Sequence, residues 1–119
     1  MGKIYLLSSM IIPIPFEYKS AMVVVEEVSV EGARAILEGG FVSAVGHEAT
    51  ARFLSRVLGL EVRPSREAVF LYEGDVAIVI QFGERIQGVE LGEDEVERLF
   101  REGKARLLKI AVSRLGSKE

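Results

Sequence analysis

The sequence predicts a single α/β domain, with a mixed β-sheet of about five or six strands and about three flanking helices. Short apolar runs typical of strands alternate with stretches that carry apolar residues at helical spacing. Turns that contain glycine separate the two kinds of segment. The chain has 119 residues, 49% of them hydrophobic, and neither a linker nor an internal repeat divides it. Residues 1–119 are therefore expected to fold around one core.

The first half of the chain is expected to contain three strands and two helices. Ser29 is a suitable N-cap for the first helix, and Gly39 and Gly40 end it. Gly46 makes the turn between the third strand and the second helix. The first strand is apolar throughout, which indicates burial on both faces. The predicted elements are a strand at 3–7, a loop at 10–19, a strand at 21–26, a helix at 29–38, a strand at 41–45 and a helix at 47–58.

A β-hairpin is predicted in the second half. Two apolar runs at 68–72 and 76–82 flank Glu73-Gly74-Asp75, which is a strong turn signal. The second run is almost entirely apolar, so we expect it near the centre of the sheet. A helix at 93–103, acidic in its first turn, and a strand at 105–112 are expected to follow.

The composition excludes several kinds of site. The chain has no cysteine, which excludes disulfides, thiolate metal sites and thiol nucleophiles. His47 is the single histidine, and we expect neither a metal site nor a cofactor. No apolar run is long enough to span a membrane, and Pro13 and Pro15 interrupt the apolar start, so we expect no membrane partner. The expected location is the cytoplasm, that of the host cell if the protein is viral. The absence of asparagine is typical of proteins from hot environments.

The basic residues are unevenly distributed, although the net charge is −3. A basic cluster can bind phosphates, but more often it is a solvated face. A nucleic-acid or nucleotide-binding module without catalysis, with duplex nucleic acid as its partner, is therefore one alternative function. The C-terminal basic cluster consists of Arg98, Arg101, Lys104, Arg106, Lys109, Arg114 and Lys118.

The strand–turn–helix unit at 41–59 carries the most distinctive chemistry. An apolar strand passes through Gly46 into an amphipathic helix, and His47 stands where that helix begins. A helix start offers unpaired backbone N–H groups and the positive end of the helix dipole, which favour anions such as phosphate. From its position alone, a lone histidine at this place is more often an ordinary surface residue than a functional one.

Five further residues are candidates from their positions. Ser8 and Ser9 end the first strand, where ligands gather in open α/β sheets. Arg66 precedes the predicted hairpin, Gln81 ends an apolar strand, and Arg85 lies in a polar loop. Each has a structural alternative: turn serines, a surface arginine, an internal hydrogen bond for the amide, or a surface salt bridge for Arg85.

The segment Gly-His-Glu-Ala-Thr at 46–50, preceded by Phe-Val-Ser-Ala-Val at 41–45, resembles the signature of the viral anti-CRISPR ring nucleases. This small family occurs in archaeal viruses and some prokaryotes, and the resemblance extends over nearly the whole chain. It implies a homodimer that cleaves cyclic tetra-adenylate, held between its subunits, and thereby antagonises type III CRISPR signalling.

The resemblance also implies roles for individual residues. His47 falls on the catalytic histidine, with Gly46 before it and Thr50 after it. Gln81 and Arg85 match ligand-contacting positions, and Arg66 matches an arginine before the predicted hairpin. The predicted ligand-binding residues are Ser8, Ser9, Gly46, Thr50, Arg66 and Gln81.

The sequence departs from the family at three places. Ser8 stands where members often carry asparagine, and the apolar Met10-Ile11-Ile12 stands where they carry a serine or another polar residue. The segment Ile-Gln-Gly at 86–88 is one residue shorter than in the viral proteins, so the carboxylate that supports catalysis has no clear counterpart. Glu84 and Glu90 are the nearest substitutes in the sequence.

The ring-nuclease chemistry that the resemblance implies needs no metal. The ribose 2′-OH attacks the adjacent phosphorus and expels the 5′-oxygen, leaving a 2′,3′-cyclic phosphate. His47 is the expected general acid, and the guanidinium of Arg85 is expected to stabilise charge on the phosphoryl oxygens. A second alternative is a sensor that binds the cyclic ligand and turns it over slowly.

Overall fold

A computed structural model of the chain describes residues 2–10, 12–83 and 92–116. The described residues form one five-stranded mixed sheet and three helices. The strands are β1 (Ile4–Leu7), β2 (Ser20–Val28), β3 (Val42–Ala44), β4 (Val76–Phe82) and β5 (Ala105–Leu115), and the helices are α1 (Val30–Leu37), α2 (Glu48–Leu58) and α3 (Glu93–Arg101). This confirms the predicted α/β class.

The order of the strands across the sheet is β2-β5-β4-β1-β3. Strand β1 is parallel to both of its neighbours, with Leu7 opposite Ala44 of β3 and Val79 of β4. Strand β5 is antiparallel to β4 and β2. Three parallel strands therefore end at the same edge of the sheet, and β4 is its middle strand, as its apolar sequence predicts.

Both faces of the sheet are covered, but by different kinds of structure. The three helices pack on one face, where Leu6 and Ile78 meet Leu54 of α2. On the other face, which we call the second face, Leu7 and Val79 are covered by extended segments rather than by helices. These segments contribute the apolar residues Met10, Ile12, Ile14, Tyr18, Val69 and Leu71.

The helix boundaries follow local chemistry. The Ser29 hydroxyl accepts a hydrogen bond from the Gly32 N–H at 3.0 Å, which confirms Ser29 as the N-cap of α1. Helix α2 ends at Gly59, whose φ of 71° is left-handed and favours glycine. Its N-cap is His47, so this histidine lies one residue before the first helical turn rather than within it.

Ion pairs join α2 to α3. Arg56 of α2 contacts Glu93 at 3.1 Å and Glu97 at 3.3 Å, and Arg52 lies 3.5 Å from Glu93. A tilted contact between Phe53 and Phe100, with ring centroids 5.5 Å apart, lies beside these pairs. The two helices are thus held together by apolar packing and by charge.

The predicted hairpin is wrong. Residues 68–72 lie outside the sheet, because β1 and β5 occupy both sides of β4. The segment instead runs over the second face, where Val69 and Leu71 pack inward and Phe70 is exposed. The Leu71 N–H donates to the Pro13 carbonyl at 2.9 Å. The apolar residues of segment 68–72 therefore pack against the sheet, although the segment is not one of its strands.

The turn at 73–75 is real, and Asp75 fixes it to the start of β1. The carboxylate of Asp75, 7% exposed, accepts the Lys3 N–H at 2.8 Å and the Tyr72 N–H at 2.9 Å. Gly74 has a φ of 95°, and a Cβ added to Gly2 would lie 1.7 Å from the Gly74 carbonyl oxygen. Gly2 is therefore required by this close approach, and Gly74 by its left-handed backbone.

Candidate functional site

The candidate site lies at the edge of the sheet where the parallel strands β1, β3 and β4 end. Ser8 directly follows β1, Gly46 and His47 follow β3, and Gln81 lies at the end of β4. Ligands of open α/β sheets bind outside the carboxyl ends of parallel strands. The topology thus brings to one edge four residues that are far apart in the sequence.

Hydrogen bonds bring Ser8 and the turn before α2 together. The Gly46 N–H donates to the Ser8 hydroxyl at 3.3 Å. The Ser65 N–H donates to the Val45 carbonyl at 2.8 Å, which places the neighbouring Arg66 at the same turn. A Cβ added to Gly46 would lie 3.7 Å from the Cγ of Arg66, so the arginine stem lies against this glycine.

His47 has the backbone of an N-cap but not the side chain of one. Its φ of −118° and ψ of 128° are extended, and its carbonyl accepts the Ala51 N–H at 3.0 Å. The side chain makes no capping hydrogen bond, and the residue is exposed. The backbone N–H groups of the first turn therefore lack a side-chain cap.

Two predicted ligand-binding residues differ sharply in exposure. Ser9 is exposed beyond the end of β1. Thr50 lies in the first turn of α2 and is only 4% exposed. A ligand contact by Thr50 stays a prediction, and its burial leaves little surface for it.

Gln81 is part of a polar row across the second face. Its amide oxygen accepts a hydrogen bond from the Arg106 Nε–H at 2.9 Å, and a terminal nitrogen of Arg106 donates to Glu27 at 3.4 Å. Gln81 and Arg106 are directly opposite each other on β4 and β5. Sequence reasoning treated Arg106 only as one of several basic residues, because its partner depends on strand register.

A cavity of about 250 Å³ opens beside this row. It is lined by Gln81, Gly83, Gly103, Lys104, Ala105 and Arg106. A second cavity, of about 500 Å³, lies along β3 and is lined partly by Phe41, Arg63 and Ser65. The first cavity matters for the site, because Gln81 lies at the same sheet edge as Ser8.

Arg85, the second predicted catalytic residue, lies outside the described residues, as do Glu84 and Glu90. The described basic residues do not form the continuous surface that their clustering in the sequence indicates. Arg98 pairs with Glu95 and Glu102 on α3, on the helix side of the sheet. Arg106 and Arg114 lie on the second face, where the Arg114 guanidinium is 4.8 Å from the Tyr18 ring centroid.

The electrostatics of the sheet are shaped by one partly buried phenol and by surface ion pairs. Burial, with smaller effects from Asp75 and Glu67, raises the pKa of Tyr5 above its ordinary value. In the described part of the chain, no three His, Cys, Asp or Glu side chains come together as a metal would require. Within the same ranges, no helix is long and apolar enough to cross a membrane.

The fold and the sequence both match known viral proteins. A family model described as STIV B116-like matches residues 4–102. ORF117 of Acidianus two-tailed virus is 40% identical over 86 residues, which are 70% of this chain and 72% of that protein. Protein 26 of Sulfolobus islandicus filamentous virus is 34% identical over 85 residues, which are 71% of each.

The solved structure of B116 from Sulfolobus turreted icosahedral virus has the same fold. Its TM-score is 0.70 at 24% identity, over 92% of this chain and 99% of that one. Together with the sequence matches, this similarity identifies the relatives as small proteins of thermophilic archaeal viruses. The chain belongs to the STIV B116-like family.

Proposed function

We propose that the protein is a metal-independent ring nuclease that cleaves cyclic tetra-adenylate and so antagonises type III CRISPR signalling. The observation that carries the proposal is the position of His47, exposed at the start of α2 beside the Ser8–Gly46 hydrogen bond. An uncapped helix start and a nearby guanidinium, that of Arg66, are suited to holding a phosphodiester.

The reaction is a transesterification within the RNA strand. The ribose 2′-OH attacks the adjacent phosphorus, the bond from phosphorus to the 5′-oxygen breaks, and the imidazolium of His47 protonates the departing oxygen. The proton of the 2′-OH passes to water. The products are a 2′,3′-cyclic phosphate and a 5′-hydroxyl, and the step needs no co-reactant.

The charge that develops on the phosphoryl oxygens needs fixed positive partners. The N–H groups of the first turn of α2 supply one set. Arg66 is exposed and makes no ion pair with any residue in the described ranges, so its guanidinium is available to a phosphate. Arg85 is proposed as a second clamp, on its resemblance to the family's arginine.

We propose a homodimer, because a cyclic tetranucleotide can have two-fold symmetry and a C₂ dimer presents one His47 to each of two opposite phosphates. The edge strand β2 supports a dimer as well: its backbone is open on one side, and its side chains Met22, Val24 and Val25 are 43–50% exposed. An open apolar edge favours pairing with a second chain.

The alternative of a nucleic-acid-binding module is less well supported. Its basic surface is divided between the helix side, where Arg98 is ion-paired, and the second face, where Arg106 bonds Gln81. Binding to duplex DNA through this cluster would depend steeply on salt and would not depend on His47.

The test is incubation of the purified protein with cyclic tetra-adenylate in EDTA, with the products resolved by chromatography. Linear products ending in a 2′,3′-cyclic phosphate are expected. A substrate with 2′-deoxyribose at each position should bind and remain intact, because it lacks the nucleophile. Tight binding of the ribose ligand without cleavage would indicate the sensor, and salt-sensitive binding of duplex DNA alone would indicate the module.

A further inference from the structure

The polar row on the second face ties one predicted ligand-binding residue to a residue with no assigned role. Arg106 donates from Nε to the Gln81 amide oxygen at 2.9 Å and is anchored on its other side by Glu27 at 3.4 Å. The alternation of β4 places Gln81 on the same face as Ala77 and Val79. Arg106 therefore bridges β4 and β2 across β5.

This contact decides which way round the Gln81 amide lies. An amide carries an acceptor oxygen and a donor nitrogen, and rotation by 180° exchanges them. A guanidinium has donors only, so beside Arg106 the oxygen must face the arginine. No residue in the described ranges takes up the amide nitrogen of Gln81. Its two N–H groups are left for a ligand, next to the cavity of about 250 Å³.

We propose that Arg106 is a positioning residue, which orients the Gln81 amide so that its N–H groups meet a hydrogen-bond acceptor of the nucleotide ligand. This inference rests on the proposed function. The ligand group is a phosphate oxygen, a ribose oxygen or an adenine ring nitrogen, each of which can accept a hydrogen bond. Arg106 itself acts on the ligand only through Gln81.

The composition of the chain makes the orientation directly measurable. It contains no asparagine and only two glutamines, Gln81 and Gln87, so an NMR spectrum holds just two side-chain amide pairs. Gln87→Glu assigns them. In the free protein, Arg106→Ala should move the Gln81 pair toward the position of an unbound amide, whereas Lys109→Ala, which removes a charge from the same strand, should not. An unmoved Gln81 pair in Arg106→Ala would overturn the proposal.

Ligand binding supplies the second readout. Arg106→Ala should weaken the binding of cyclic tetra-adenylate about 3- to 10-fold, the usual worth of one net hydrogen bond. The single-turnover rate at saturating ligand should stay within about 2-fold, because Gln81 contributes binding and not chemistry. Arg106→Lys should restore binding only in part, since it keeps the charge but not the planar fork.

Comparison of the wild-type protein with Arg106→Ala separates this inference from the proposed function. Equal affinity of the wild-type protein and Arg106→Ala would overturn the positioning role while cleavage by both would leave the ring-nuclease proposal intact. A wild-type protein that neither binds nor cleaves the ligand would refute the proposed function and the ligand part of this inference. The amide spectra of the free protein would then still decide whether Arg106 orients Gln81.

Discussion

Replacing His47 by asparagine is expected to stabilise the fold while it abolishes turnover. The backbone of His47 already has N-cap geometry, but its side chain makes no capping hydrogen bond. Asparagine is among the best N-cap residues, and its side-chain oxygen would accept an N–H of the first turn of α2. The wild-type protein therefore lacks a side-chain cap at the position where the proposed mechanism needs a general acid.

The expected gain follows from the measured worth of such caps. A good N-cap contributes about 0.5–2 kcal/mol relative to alanine, and we expect about 1 kcal/mol here because the residue is exposed. For a domain of this size that corresponds to a rise in Tm of about 3–5 °C. The loss of a positioned general acid should lower the rate roughly 10²- to 10⁴-fold.

Two variants calibrate the experiment. His47→Ala should lose the same activity as His47→Asn without the gain in stability, because alanine cannot cap. Ser29→Ala removes a cap that the structure shows, the hydrogen bond to Gly32 at 3.0 Å, and should cost about 1 kcal/mol. Unfolding in denaturant measures stability, and single-turnover cleavage of cyclic tetra-adenylate in EDTA measures the rate.

The result that refutes this reasoning is clear for each half. A His47→Asn variant less stable than His47→Ala would mean that the N-terminus of α2 is already satisfied in another way. Wild-type turnover by His47→Ala would remove His47 from the mechanism, whatever its effect on stability.

Three further predictions follow from the contacts and charges described above. Asp75→Ala leaves two partly buried N–H groups without an acceptor and should cost about 2–4 kcal/mol in denaturant unfolding; an unchanged midpoint would show that water replaces the carboxylate. The pKa of Tyr5 is raised in the folded state above the value of 10.0 that it has in the unfolded chain. The stability that this difference gives the fold is complete below that pH and is lost as the pH rises through the folded-state pKa. The free energy of unfolding of Tyr5→Phe should therefore fall less than that of the wild type between about pH 9 and pH 11, and parallel curves would contradict the shift. Arg85→Ala should weaken ligand binding and slow cleavage, with Arg85→Lys recovering only part; unchanged affinity in both, by titration, would exclude a phosphate clamp.

The elements that could be predicted from sequence are those whose cause is local. Ser29 caps α1 through a residue three positions away, and Gly59 ends α2 through its own backbone angle. The apolar run of β4 likewise predicts its central place, since residues 77–80 are buried on both faces of the sheet. In these cases a short window of sequence contains the whole physical reason.

What could not be predicted depends on partners distant in the sequence. Residues 68–72 have the composition of a strand, but β1 and β5 already pair with β4, and the run packs on the second face instead. The same holds for the site. The approach of Ser8 to Gly46 and of Arg106 to Gln81 follows from strand order and register, which no local pattern reveals.

The ion pairs between α2 and α3 make the setting of the candidate site sensitive to temperature. Exposed pairs such as Arg56 with Glu93 contribute little at 25 °C. Their cost of dehydration falls on heating, because charged groups are hydrated less favourably in hot water. The ion pairs that hold α2, the helix that begins after His47, therefore strengthen at high temperatures, at which other contacts weaken.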